Sequence, residues 1–184
     1  MTRLLGISGS LRKASFNTGL LRAAIDLTPD GATLQAGSIE GIPLYNGDDE
    51  REQGVPASVQ ALKRQLAEAE GLLLFTPEYN NSLPGVFKNA IDWLTRPASD
   101  IKPLFGGKPV AVLGASPGGF GTILAQDAWL PVLRTLGTKP WFEGRMLVSR
   151  AQSVFDADGN LVDDATRQRL GQFLAGFAAF VASR

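Results

Sequence analysis

Between Gly71 and Thr76 the chain reads Gly-Leu-Leu-Leu-Phe-Thr, a continuous apolar run stopped by Pro77. A strand with one wet face alternates apolar and polar residues. An unbroken run bounded by Gly and Pro predicts a central strand buried on both faces, as in a parallel sheet covered by helices. The flanking sequence agrees. Leu4 to Ser8 is a short apolar strand ended by Gly9, Ala32 to Ser38 a weaker second strand, and Pro109 to Ala115 a fourth. A fifth lies within Trp141 to Ser149. Helical periodicity separates them: Thr18 to Leu27, a segment opened by Val55-Pro56 with Val59, Leu62 and Leu66 on one face, and Pro84-Gly85 to Arg96. Thr122 to Leu136 follows, with Pro131 marking a kink, and then Asp163 to Val181. Ile39 to Val55, polar and rich in Gly and Asp, is expected to be a long loop, and Asp156 to Gly159 a turn.

Five strands alternating with five helices, with no composition break or repeat, predict one α/β domain over residues 1–184. It is expected to be a three-layer sandwich, a five-stranded parallel sheet with helices on both faces. Strand order is not visible in sequence; analogy with doubly wound folds gives 2-1-3-4-5. Acidic and basic residues balance at 18 each, so no charge draws the chain to nucleic acid or an anionic membrane. No stretch approaches the roughly 18 apolar residues of a membrane span. The apolar run after Arg3 turns into a Gly/Ser loop too early for a secretory signal, which makes the cytoplasm the default location. Cys and His are both absent. That removes thiolate chemistry, the commonest metal ligands and any Ser–His–Asp triad, so a borrowed cofactor becomes the main source of chemistry. No metal site is expected.

In open α/β sheets ligands bind beyond the carboxyl ends of strands, where the order reverses. The loops after the first, third and fourth strands are therefore the candidates. The first reads Gly9-Ser10-Leu11-Arg12-Lys13-Ala14-Ser15-Phe16-Asn17. It offers a tight turn, small polar side chains, free N–H groups at a helix start and an Arg that can grip phosphate. It fits a strand–helix turn capped by Ser15 or Asn17 equally well. The Walker A residues and the G-x-G-x-x-G spacing are both missing, so a ligand with one phosphate suits it better than a pyrophosphate. After the third strand, Thr76-Pro77-Glu78-Tyr79-Asn80-Asn81-Ser82-Leu83-Pro84-Gly85 is long, stiff and suited to a planar heterocycle. After the fourth, Ser116-Pro117-Gly118-Gly119-Phe120-Gly121-Thr122 allows close approach of backbone to a ligand, or else forms a flexible turn into a Thr122 cap.

The stretches GSLRKASFN and PEYNNSLPGVFKNAIDW closely resemble the NADPH-dependent FMN reductase family, whose members include bacterial quinone, chromate and azo-dye reductases. The similarity spans most of the chain. It implies a flavodoxin-like fold, bound FMN reduced by NADPH or NADH, and a homodimer or homotetramer in which a neighbouring subunit helps wall the flavin pocket. By that resemblance Ser10, Arg12, Ser15 and Asn17 hold the FMN phosphate, with Leu11 and Phe16 in the same stretch. Pro77, Glu78, Tyr79 and Asn80 line the isoalloxazine ring, and Ser116, Pro117, Gly118 and Gly119 lie on its other edge. One stretch departs from the family pattern. Where members often carry an Arg and an aromatic after the fourth-strand loop, this chain reads Ile123-Leu124-Ala125-Gln126-Asp127. A polar network between subunits built on those residues is not implied here, with Leu124 and Asp127 in their place.

The expected activity is hydride transfer from NAD(P)H through FMN to a small acceptor: a quinone, a flavin, chromate or an azo compound. No side chain is assigned as catalytic, because flavin chemistry asks the protein mainly for orientation and electrostatics. The alternative is a flavodoxin-type electron carrier with no NAD(P)H reaction of its own, although the acidic surface usual for such carriers is missing. A phosphorelay receiver would need acidic residues after the first strand and an Asp ending the third, where this chain has Ser8-Gly9 and Thr76-Pro77. A cofactor-free scaffold would be colourless and gain no thermal stability from FMN.

Overall fold

The computed structural model describes residues 1–183. Its strands are β1 (Thr2–Ser8), β2 (Ala32–Gly37), β3 (Gly71–Phe75), β4 (Pro109–Ala115), β5 (Lys139–Pro140) and β6 (Leu147–Val148). The α-helices are α1 (Phe16–Asp26), α2 (Gly47–Gln53), α3 (Ala57–Glu68), α4 (Gly85–Leu94), α5 (Ile101–Phe105), α6 (Ile123–Thr135) and α7 (Asp164–Ala182). All strand pairings are parallel, in the order β2-β1-β3-β4-β5, with β6 also on β4. This is the flavodoxin-like order.

Strand periodicity of two builds the layers. Along β3, Leu73 and Phe75 join the core under α1 and α7, while Leu72 and Leu74 join the core under α3, α4 and α6. Along β4, Ala111 and Leu113 take the first side and Val110 the second. The run that lacks alternation in sequence is thus apolar because two different cores claim alternate residues. Every residue of β3 is buried.

Two expectations are corrected. The stretch from Ile39 to Val55 is not all loop: α2 occupies Gly47–Gln53, although none of its residues is buried. It holds without an apolar face because Asn46 caps it and Asp48, Asp49 and Glu50 fill its first turn, where the helix dipole favours acids. The segment is then tied to α4. Asn89 bridges Tyr45 N–H and Pro43 C=O, Trp93 Nε1 also donates to Pro43 C=O, and Arg96 pairs with Glu50 at 2.8 Å. That Arg96 bond holds the Glu50 carboxyl below the usual carboxylate range, while the bond from Tyr45 to Glu50 pushes the Tyr45 phenol up.

The fifth strand is also not continuous. β5 pairs with Pro109 and Val110 and β6 with Gly114 and Ala115, leaving residues 111–113 of β4 without a strand on that side. The chain between them, 141–146, leaves the sheet so that Trp141 can pack against Phe173 and Phe177 of α7. The five expected helices match their positions to within a few residues, and α6 runs through Pro131 without a break, whereas the short α5, Ile101–Phe105, was not expected.

Candidate functional site

The loops after β1, β3 and β4 meet at one end of the sheet, held there by bonds that cross between them. Gly9 N–H donates to Phe75 C=O at 2.9 Å. Only Gly fits here: a Cβ would lie 2.2 Å from Phe87 Cδ1. The buried Asn17 side chain clamps the first loop to the end of β4, accepting from Ala115 N–H and donating to Ala115 C=O, each at 2.9 Å. Asn17 therefore spends its amide on the scaffold, and what it offers a ligand is its backbone N–H.

Ser15, not Asn17, caps α1, its Oγ accepting from Thr18 N–H. Ser10 is half-buried and its Oγ accepts from Arg12 N–H. Leu11, Arg12 and Lys13 are exposed, and among the described residues neither cation forms an ion pair. Phe16 packs on Phe155 at 5.4 Å. The N–H groups of Phe16 and Asn17, the first two of α1, have no hydrogen-bond partner among the described residues. Such a pair beside Arg12 suits an anion with one phosphate. A cleft of about 300 Å³ adjoins this loop, lined by Arg12, Ala14, Phe16 and Phe155 among others.

The loop after β3 is organised from within. Thr76 is fully buried, its Oγ1 donating to Pro77 C=O and accepting from Trp129 Nε1. Pro77 is buried behind it. Tyr79 and Ser82 exchange both backbone hydrogen bonds, at 3.0 and 3.1 Å, around Asn80 (φ 50°) and Asn81 (φ 60°). Two left-handed central residues are the pattern of a type I′ turn, and Asn tolerates that conformation well. The turn leaves Tyr79 and Asn80 exposed. Glu78 turns elsewhere: its Oε2 accepts from the N–H groups of Leu124 (2.9 Å) and Ala125 (3.0 Å) in the first turn of α6.

The loop after β4 is pinned at its root. Ser116 is buried, with N–H to Val148 C=O, C=O to Ala151 N–H and Oγ to Gly121 C=O. Pro117, Gly118 and Gly119 are exposed, and a Cβ at Gly119 would meet nothing within 4 Å, so backbone there lies open to a ligand. Thr122 precedes α6 without capping it: its Oγ1 instead accepts from Gln126 Nε2. Three features escaped the sequence. The Glu78 cap joins residues 46 positions apart and has no local signature. The Asn17 clamp has none either. Left-handed Arg150 (φ 49°), whose N–H donates to Gly118 C=O, was likewise unmarked. The turn at Asn80-Asn81 was not expected either, although an Asn pair is a turn signal that the sequence carries.

A larger groove, of about 560 Å³, lies between α6 and the 141–145 excursion and reaches the start of α6 at Ile123 and Leu124. It is lined by Val112, Leu124, Leu130, Trp141, Phe142 and Arg145 among others. Among the described residues no helix is long and apolar enough to cross a membrane.

The chain is 45% identical over 179 residues to an NAD(P)H-dependent FMN reductase of Pseudomonas aeruginosa, covering 97% of this chain and 95% of that protein. It is 40% identical over 178 residues to a 2-hydroxy-1,4-benzoquinone reductase of a Burkholderia species, with the same coverage. Its structure superposes on FerB, a flavoenzyme NAD(P)H:(acceptor) oxidoreductase of Paracoccus denitrificans, with a TM-score of 0.87 and 33% identity, covering 100% of this chain and 98% of that one. Residues 2–153 match the family model described as NADPH-dependent FMN reductase. The chain belongs to the NADPH-dependent FMN reductase family.

Proposed function

We infer that this chain, acting as one domain over residues 1–184, is an NAD(P)H-dependent FMN oxidoreductase that reduces a small acceptor: a quinone, a flavin, chromate or an azo compound. The observation that carries this is the pair of uncommitted N–H groups at the start of α1 beside Arg12, facing an end of the sheet where two further loops converge. When bound there, FMN supplies the redox chemistry, accepting hydride from the nicotinamide and delivering it to the acceptor.

The residues present fit that group. Ser10, Arg12, Ser15 and the N–H groups of Phe16 and Asn17 would hold the phosphate, with Leu11 in the same loop. Pro77 to Asn80 would flank the ring on one side and Ser116 to Gly119 on the other. The open backbone at Gly119 gives the ring room to approach. Glu78 is committed to α6, so it is assigned no proton, and the side chains orient and shield rather than act as acid or base.

A homodimer or homotetramer fits the apolar face formed by Ile123, Leu124, Leu130 and Phe142, all exposed, beside the 560 Å³ groove. A cytoplasmic location fits the reductant, a nucleotide of the cell interior. The electron-carrier alternative is disfavoured by the even balance of 18 acidic and 18 basic residues and by the family.

The test is an absorbance spectrum of the purified protein during anaerobic NADPH addition, followed by a quinone. A flavin band that bleaches and returns is expected. An absent band, or one that NADPH never bleaches, overturns the function; a band bleached only by dithionite leaves the electron carrier.

A further inference from the structure

Glu78 sits in the loop after β3, yet both of its hydrogen bonds go to α6. Its Oε2 accepts from Leu124 N–H at 2.9 Å and Ala125 N–H at 3.0 Å. These are first-turn donors of a 13-residue helix whose own cap residue, Thr122, leaves them unmet. A carboxylate there also meets the positive end of the helix dipole. The cap is thus supplied from 46 residues upstream.

Its position gives this bond its consequence. Residues 116–122 lead directly into α6, and residues 77–80 carry Glu78 itself. One carboxylate therefore spans the two loops that flank the proposed flavin ring. Among the described residues no other hydrogen bond joins the outer parts of these two loops to each other: the Trp129 bond to Thr76 and the Thr76 N–H bond to Leu113 C=O both lie at the buried root, and Gly118 C=O is held separately, by Arg150 N–H. Beyond Thr76 the loop bonds to itself, through Tyr79 and Ser82. Phe120, on the facing loop, is 82% exposed and does not anchor it.

We propose that Glu78 is a positioning residue, a strut that fixes the spacing of the 77–80 and 116–122 loops by accepting hydrogen bonds at the α6 start, and so sets how tightly flavin is held between them. This rests on the flavin reading given above. The strut acts as an acceptor, so the uncharged amide oxygen of Gln performs the same task, whereas Ala cannot and Asp is one methylene too short to reach both donors.

The experiment compares FMN-loaded wild type with Glu78→Ala, Glu78→Asp and Glu78→Gln. FMN release on dilution is followed by the return of flavin fluorescence, and visible circular dichroism reports the flavin's surroundings. Far-ultraviolet circular dichroism checks folding. Glu78→Ala is expected to raise the FMN dissociation constant about tenfold and to alter the flavin dichroism, and Glu78→Gln to stay within about threefold of wild type. Glu78→Asp falls between them. Wild-type FMN affinity and dichroism in folded Glu78→Ala would overturn the strut. So would a Glu78→Gln as weak as Glu78→Ala, since charge rather than the hydrogen bond would then be at work. Should Glu78→Ala not fold, Glu78→Asp and Glu78→Gln decide alone. Failure of wild type itself to bind FMN would instead overturn the flavin reading.

Discussion

The loops after β1 and β3 stand side by side at the same end of the sheet and are built on opposite principles. From Thr76 to Ser82 the turn backbone and the Thr76 and Glu78 side chains are spent on the protein, in the Thr76–Pro77 and Thr76–Trp129 bonds, the Tyr79–Ser82 turn and the Glu78 cap, while the side chains of Tyr79, Asn80, Asn81 and Ser82 stay exposed. From Leu11 to Asn17 the main donors remain unspent: the Arg12 and Lys13 side chains and two N–H groups of α1. A loop that binds itself holds its shape without a ligand, and preorganisation of that kind removes ordering cost at binding. A loop that leaves its donors free depends on an anion to complete it. The pair divides the labour of one site, shape on one side and anchorage on the other.

The contrast can be broken at its base. Asn17→Leu should strip Ala115 of both buried partners and lower the unfolding free energy by about 3 kcal/mol in urea titrations, with or without FMN. A much smaller loss would mean that the first loop is not held by this clamp. Arg12→Ala should act on binding alone, weakening FMN about 30-fold while the melting temperature of the FMN-free protein stays put. A drop in that temperature would show that Arg12 has structural partners. Asn81→Ala should cost about 1 kcal/mol whether or not FMN is bound, because the left-handed conformation belongs to the loop itself, and Asn81→Gly should cost little. If the penalty appears only with FMN bound, the turn is ligand-made after all.

The smallest effect is electrostatic and concerns carboxylates that make no hydrogen bond to either loop. The Arg96 hydrogen bond holds Glu50 below its ordinary 4.5, and Asp156 and Asp163 lie below 3.8 through bonds from Asn160 and Thr166 respectively. A depressed carboxyl binds its proton more readily in the unfolded chain. Its stabilisation is therefore present above the ordinary value and is lost as pH falls through the folded one. Melting temperature should decline below about pH 4.5 and change little from there to pH 7, and Glu50→Gln should make the acid decline shallower. An unchanged acid limb in that variant would mean that Glu50 takes no part.

Much of the scaffold was legible because burial writes itself into composition. β4 spans Pro109–Ala115 as expected, and Leu72 to Phe75 lack alternation because each face has its own core. Asp163 was readable as the start of α7 and does cap it through Thr166. Helix α2 was missed because Gly47–Gln53 has no apolar stripe and is held by its cap and its ends, a weaker signal than periodicity. The split of the fifth strand was missed because the demand comes from Trp141 seeking Phe173 and Phe177, partners more than 30 residues on. In the site, the loops and their residue types were visible, but the division of roles was not. Asn17 looked like a ligand contact by type and Glu78 by family resemblance, and only their distant partners, Ala115 and the start of α6, show them as fasteners.

The broken outer strand has a consequence for how copies of this chain can meet. A long, straight sheet margin invites another chain to extend the ladder without limit, the route to fibres. Here that margin is reduced to two-residue pieces on either side of the 141–146 excursion. Backbone pairing has no run to propagate along. Association on this flank must go through side chains such as Leu130 and Phe142, which fit particular partners at particular angles, and that is the condition for an assembly that closes rather than grows.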